Sequence, residues 1–271
     1  MAGLTQGLEP LAIVPVRPEP LPAPVLRPVT SAGFPSLAAA VVARYAPCGR
    51  AARGYVAGKL RHDPVHRAVL ALAEGTAPGT APGTVHGTVH GTIHGTGLGD
   101  VVDLGCGRGQ LGVALLLAGR ARAVRGIDLP GRRLDQAAVA GAALGLSTTA
   151  CDLAARPIVP AADTVLLIDV LYQMQTRSQL ALLAAAAAAA RRRVLVRTLD
   201  PARGLRSVLT VVLEHAWRRV SAQAGAMVNP RPLSELAGVL EAAGFAVSAA
   251  PCWRGTPFAN VLLTAHRTGV S

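Results

Sequence analysis

Lysine is almost missing from this chain. Lys59 is the only one, and arginine carries nearly all of the positive charge that sets 27 Lys+Arg against 15 Asp+Glu, a formal +12. Aromatic residues make up only 3%, too few to give nucleic-acid bases a row of stacking platforms, and the arginines are scattered apart from short clusters such as Arg191 to Arg193. The basic balance, with its alanine excess, therefore reads as the imprint of a GC-rich coding sequence and argues against nucleic acid as a partner. It stays compatible with an acidic substrate or with peripheral association at an anionic membrane face. The four cysteines (Cys48, Cys106, Cys151, Cys252) are widely spaced with no C-x-x-C, so they read as buried thiols of a reducing, cytoplasmic compartment, and no metal site is expected. No apolar run reaches about 18 residues, the alanine-rich stretch near 180–190 coming nearest, so no membrane span is expected. The first residues lack a basic start followed by a compact apolar core, hence no secretion signal is expected.

What is present suits one sizeable α/β core with appendages: 271 residues, 51% hydrophobic and 15% charged. Residues 1–35 contain PVRPEPLPAPVLRP, where proline recurs too often for helix or sheet, and read as a disordered arm. Residues 36–74 turn helical in three pieces, the last preceded by a proline suited to a first helical turn. Residues 75–97 repeat Gly-Thr every four positions and stack His86, His90 and His94 at helical spacing. Glycine in every repeat, each at a cost of about 1 kcal/mol to a helix, makes this a flexible insertion rather than a ligand face. Residues 98–271 form the main domain.

Within it, VVDLGCGRGQLGVALLL (101–117) reads as strand, glycine turn and helix. Gly105, Gly107 and Gly109 permit positive φ and close approach of a ligand, and the helix that follows aims unpaired N–H groups at the same crevice. Gly107, Gly109 and Gly112 also spell the dinucleotide G-x-G-x-x-G, with Asp128 at the distance of a ribose-binding carboxylate, which leaves a nicotinamide-dependent oxidoreductase or a nucleotide binder open. Read from the strand, however, the pattern is D-x-G-x-G-x-G starting at Asp103. In this form the chain resembles the class I S-adenosylmethionine-dependent methyltransferases.

That resemblance, which spans about 98–267, implies an α/β fold: a Rossmann-like, doubly wound, seven-stranded sheet with the last strand antiparallel, plus an N-terminal helical lid from which Tyr45, Tyr55, Lys59 and Arg61 reach the pocket. It implies S-adenosyl-L-methionine as cofactor, held by Asp103, Gly105, Cys106, Gly107 and Gly109. Asp128 closes the apolar strand AVRGID, where its carboxylate can accept from both ribose hydroxyls; a helix cap is the alternative role for an Asp so placed. Leu129 follows it. At the next strand end Asp152 would accept from the adenine amine and Leu153 offer its backbone N–H. Asp169 ends the most apolar strand, ADTVLLI, and opens D-V-L-Y, similar to the fourth motif of small-molecule enzymes and unlike the N-P-P-Y box of enzymes that methylate nucleic-acid bases.

A sulfonium methyl is already electrophilic, so alignment is the main requirement, with a general base for a hydroxyl acceptor. His215 and Tyr172 are the candidates for that base. The lead-in GRAARGYVAGKLRHDPV is similar to bacterial methyltransferases of secondary metabolism that act on polyene- or lipid-like acids and phenols. The expected activity is therefore methyl transfer to a small molecule; an RNA or protein methyltransferase on the same fold is the rival. The oligomeric state is left open.

Overall fold

The computed structural model describes residues 33–74, 97–202, 228–253, 256 and 258–269. The proline-rich arm up to residue 32, the GT repeat from 75 to 96 and the segment 203–227, which carries the candidate base His215, lie outside the described residues.

Helices α1 (Phe34–Arg44), α2 (Arg50–His62) and α3 (Val65–Ala73) come first. Helix α1 starts at Phe34 and carries Pro35 in its first turn, where a missing N–H costs nothing. Asp63 separates α2 from α3 because it precedes Pro64, which pushes it out of the helical region to φ −93°, ψ 114°. Its carboxylate then accepts from the Val65 N–H at 3.1 Å and satisfies an open donor at the head of α3. Beyond α3, the Gly97 N–H donates to the Ala73 carbonyl at 2.9 Å, which joins the end of α3 to the start of the main domain.

The sheet strands are β1 (Asp100–Leu104), β2 (Ala123–Asp128), β3 (Leu146–Ala150), β4 (Ala162–Ile168), β5 (Ala190–Leu199), β6 (Phe245–Pro251) and β7 (Asn260–Arg267). Between them run α4 (Gln110–Leu117), α5 (Arg132–Gly141), α6 (Thr176–Ala189) and α7 (Leu233–Ala242). The order is β3-β2-β1-β4-β5-β7-β6, with β1 to β5 parallel and β7 antiparallel to both neighbours. The expected seven strands and the antiparallel last strand are thus present. Helix α5 ends at Gly141, and the chain then turns through Ala143 and Gly145, both at positive φ, to enter β3.

Two cores sandwich the sheet. Helices α1, α3 and α4 pack with Val101, Val124, Leu166 and Leu195 on one face. Helices α6 and α7 pack with Val102, Leu104, Val165, Leu167, Val194 and Val196 on the other. Register decides which polar groups join the first face. Asp103 pairs with Gly126 and Leu166, and Ile168 pairs with Arg197. Since side chains alternate along a strand, Asp103, Asp128 and Arg197 all lie on the side covered by the N-terminal helices. The order reverses between β1 and β4, and in open α/β sheets the crevice beyond the carboxyl ends at such a point is where ligands bind.

Candidate active site

The glycine turn crosses that crevice. Gly105, Gly107 and Gly109 have φ of +73°, +58° and +70°, a region that side chains other than glycine enter at a cost. At Gly105 space adds to the constraint: a Cβ would stand 2.7 Å from Val170 Cγ2, in the turn after β4. Gly107 differs, since a Cβ there would meet nothing within 4 Å, so its face is open to the crevice. Gly105→Ala is therefore expected to destabilise the fold by about 2–4 kcal/mol, combining left-handed strain with overpacking. Urea unfolding measures this; an unchanged midpoint would show that the turn 169–170 yields freely.

Asp128 braces the loop. Its Oδ2 accepts from the Gly107 N–H at 2.6 Å and its Oδ1 from the Leu129 N–H at 2.7 Å. It does not cap α5, whose first turn begins after Gly131. A carboxylate has about four acceptor positions, so the two bonds leave two for a ligand. Asp103 lies deeper, 3% exposed, and burial together with the Asp128 charge pushes its carboxyl up to about 7. No cation or donor among the described residues offsets either effect, so the acid is disfavoured as an anion. Cys106 is buried against Gly126, where a Cβ would stand 2.7 Å from its Sγ; burial raises its thiol far above the usual range and leaves it inert.

At the end of β3, Asp152 is exposed and its Oδ1 accepts from the Ala154 and Ala155 N–H groups at 3.0 and 3.3 Å. Leu153 is 4% exposed and its side chain belongs to the core under α6 and α7, so only its backbone is available to a ligand. Leu129, by contrast, is 58% exposed, an apolar side chain left bare beside the Asp128 rim.

Asp169 is set by a residue far along the chain. It follows β4 at φ +60°, a strained position for a residue with a Cβ, and Arg197 holds it there. The Asp169 N–H donates to the Arg197 carbonyl at 3.1 Å, and the guanidinium donates Nε to Oδ1 at 2.8 Å and Nη2 to Oδ2 at 2.7 Å. The side chain is thus turned to Arg197. Arg197 also donates Nη1 and Nη2 to the two oxygens of Asp63, and Lys59 Nζ donates to Asp63 Oδ2 at 3.0 Å. Burial raises the Asp63 carboxyl, but Arg197 and Lys59 outweigh it and hold the group far below the usual range. Burial likewise opposes charge on Arg197, and the two carboxylates overcome it. His66, next in line on α3, is buried with neither ring nitrogen partnered among the described residues, and burial lowers it to about 4, so it stays neutral.

The lid residues divide. Tyr45 is buried and its hydroxyl donates to the Arg108 carbonyl of the glycine turn at 2.6 Å. Tyr55 lies 4.2 Å beneath the Arg108 guanidinium, whose Nε donates to Gln136 at 2.8 Å. Arg61 lies elsewhere, with Phe34, Ala38, Leu60 and Arg67 around a groove of about 340 Å³ within the N-terminal helices. Tyr172, in the short turn Leu171–Gln173, is 3% exposed, and its carbonyl accepts from Asn229 N–H at 2.7 Å. His215 lies outside the described residues. The structure therefore brings Asp103, Gly105, Gly107, Gly109, Asp128 and the Asp169 turn to one rim. Asp63 and Arg197 are the residues sequence reading missed. An arginine inside the apolar run VLVRTL was the available signal, since a buried guanidinium demands a carboxylate.

Fold and site together define an α/β protein with the class I methyltransferase fold: the strand order, the antiparallel β7 and the N-terminal helices are those of that architecture. The likeness extends to solved structures. The pyocyanin biosynthetic protein PhzM matches at 21% identity over 80% of this chain and 58% of its own, with a TM-score of 0.52. An O-methyltransferase family protein from Burkholderia thailandensis matches at 22% identity over 64% and 52%, TM-score 0.50. The N-methyltransferase NodS from Bradyrhizobium japonicum WM9, solved with S-adenosyl-L-homocysteine, matches at 12% identity over 75% and 86%, TM-score 0.50. The chain thus spans little more than half the length of the first two. No family model and no curated protein matches the sequence. Among the described residues no helix is long and apolar enough to cross a membrane, no group of His, Cys, Asp and Glu could hold a metal ion, and all four cysteines are free thiols.

Proposed function

We propose that this protein transfers the methyl group of S-adenosyl-L-methionine to an oxygen of a small-molecule acceptor. One observation carries the reading: the open backbone of Gly107, held by Asp128, in the turn that follows the strand of the buried Asp103. This is a cradle that a Cβ would begin to fill, with carboxylate acceptors for sugar hydroxyls and a buried carboxyl suited to a cationic group. The residues present fit the cofactor on those grounds. Asp128 would hold the ribose, Leu129 would cover an apolar ring face, and Asp152 Oδ2 would accept from the adenine amine. Asp103 would face the positively charged end. The cofactor supplies an activated sulfonium methyl.

The protein's own contribution is then alignment of the acceptor oxygen at near-attack distance and exclusion of water by the N-terminal helices. Asp169 is a poor general base while both oxygens accept from Arg197. Tyr172 and His215 are the candidate bases for a hydroxyl acceptor. A carboxylate or phenolate of a lipid-, polyene- or phenol-like metabolite would need no strong base. The methyltransferase activities named for NodS and the Burkholderia protein, and the biosynthetic role named for PhzM, support methyl transfer in small-molecule metabolism.

The sheet also speaks against the nicotinamide reading, because the dinucleotide order 3-2-1-4-5-6 has no antiparallel strand inserted beside β5. Calorimetry with S-adenosylhomocysteine and NADH is the test. Binding of the first and not the second is expected; tight NADH binding without S-adenosylhomocysteine binding would overturn the proposal.

A further inference from the structure

The ion cluster under the lid has no counterpart in the functional reading above. Arg197, Asp63 and Asp169 come from β5, the α2–α3 turn and the turn after β4, and all three are largely buried. Arg197 spends four N–H donors on two carboxylates, so neither can leave without stranding a buried charge. Asp63 further holds Lys59 on α2 and the Val65 N–H at the head of α3, which ties both helices to the guanidinium. On the other side, Arg197 grips Asp169 by backbone and side chain alike. The next residue, Val170, closes on the glycine turn so tightly that Gly105 has no room for a Cβ. Meanwhile the other end of the lid reaches the same turn through Tyr45 and Arg108.

Resting on the proposed cofactor site, we infer that Arg197 is a positioning residue that couples seating of the N-terminal helices to occupancy of the glycine turn, with Asp63 as its contact on the lid. A ligand that settles on residues 105–109 fixes the turn 169–170. That turn orients the Arg197 guanidinium, and the guanidinium clamps Asp63 and with it α2 and α3. In the reverse direction, a seated lid fixes the wall of the pocket. The arrangement has two states because a guanidinium stripped of one carboxylate cannot rest half-way in a dry interior. A merely structural ion cluster would stabilise the fold equally with and without ligand.

Amide hydrogen exchange on the full chain, with and without saturating S-adenosylhomocysteine, separates the two. In the wild type the ligand is expected to slow exchange across residues 59–66 by about tenfold or more, as well as at the glycine turn. In Asp63→Asn the response at 59–66 is expected to vanish while that at 105–109 persists. Asp100→Asn, which breaks an exposed pair with Arg122, is expected to behave like the wild type. A full ligand response at 59–66 in Asp63→Asn overturns the coupling. If that variant fails to fold, absence of the response at 59–66 in the wild type does the same. Failure of S-adenosylhomocysteine to bind the wild type would instead sink the functional reading, and the coupling with it.

Discussion

Asp128→Ala is expected to weaken S-adenosylhomocysteine binding by about 100- to 1000-fold while leaving the protein folded. Two hydroxyl-to-carboxylate hydrogen bonds, each contributing about 1.5–2 kcal/mol net, account for that range. The loop adds to the loss. Gly107 and Leu129 would surrender their acceptor, and Gly107, free of Cβ, would lose the one side chain that fixes its N–H. Both amides can turn to water because Asp128 sits at the partly exposed rim, which is why the fold should survive. Calorimetry gives the affinity and circular dichroism the fold. An affinity within about threefold of the wild type would remove Asp128 from ribose recognition.

Asp103→Asn is expected to produce the opposite pairing of effects: a more stable ligand-free protein that binds the cofactor worse. The sign follows from linkage. The folded-state pKa of Asp103 is raised from 3.8 to about 7, so between those values the native state holds a proton that the unfolded chain releases. Stability falls as pH rises through this window and stays lower above it, by up to about 4 kcal/mol if the whole shift is realised. Asparagine cannot ionise and escapes the penalty. Thermal unfolding should therefore show the variant and the wild type alike near pH 4 and the variant ahead at pH 8. Binding should move the other way. A cationic ligand end opposite Asp103 favours the anion, so wild-type affinity should climb between pH 6 and 8 and the variant's should stay flat. Parallel stability curves for the two proteins across pH would refute the buried, uncompensated state of Asp103.

Much of this was legible in the chain itself, and the reason is locality. The glycine turn is written in consecutive residues. A strand that closes on Asp103, three alternate glycines and a helical run each report their own backbone conformation. Asp128 was equally readable, because β2 ends where its apolar run ends. The unbroken apolar character of β4 announced a central parallel strand, buried on both faces. What stayed hidden were side chains whose partners lie far away in sequence. Asp169 was read as the end of β4, but its partner Arg197 stands 28 positions on, out of reach of any local pattern. Leu153 was read as offering its backbone N–H, and only the structure shows that its side chain is core.

By itself, the sequence determined the order of strands and helices, the conformation of the glycine turn and the acids that end β1, β2 and β3. Each of these follows from local backbone preference and from hydrophobic period. Only the tertiary structure decided that Arg197 stands between Asp63 and Asp169, and that Tyr45 reaches the Arg108 carbonyl. It also decided that Asp103 is raised while Asp128 is engaged by backbone amides. Register and burial set these contacts: a pairing between distant strands chooses the face, and exclusion of water chooses which charges must find one another.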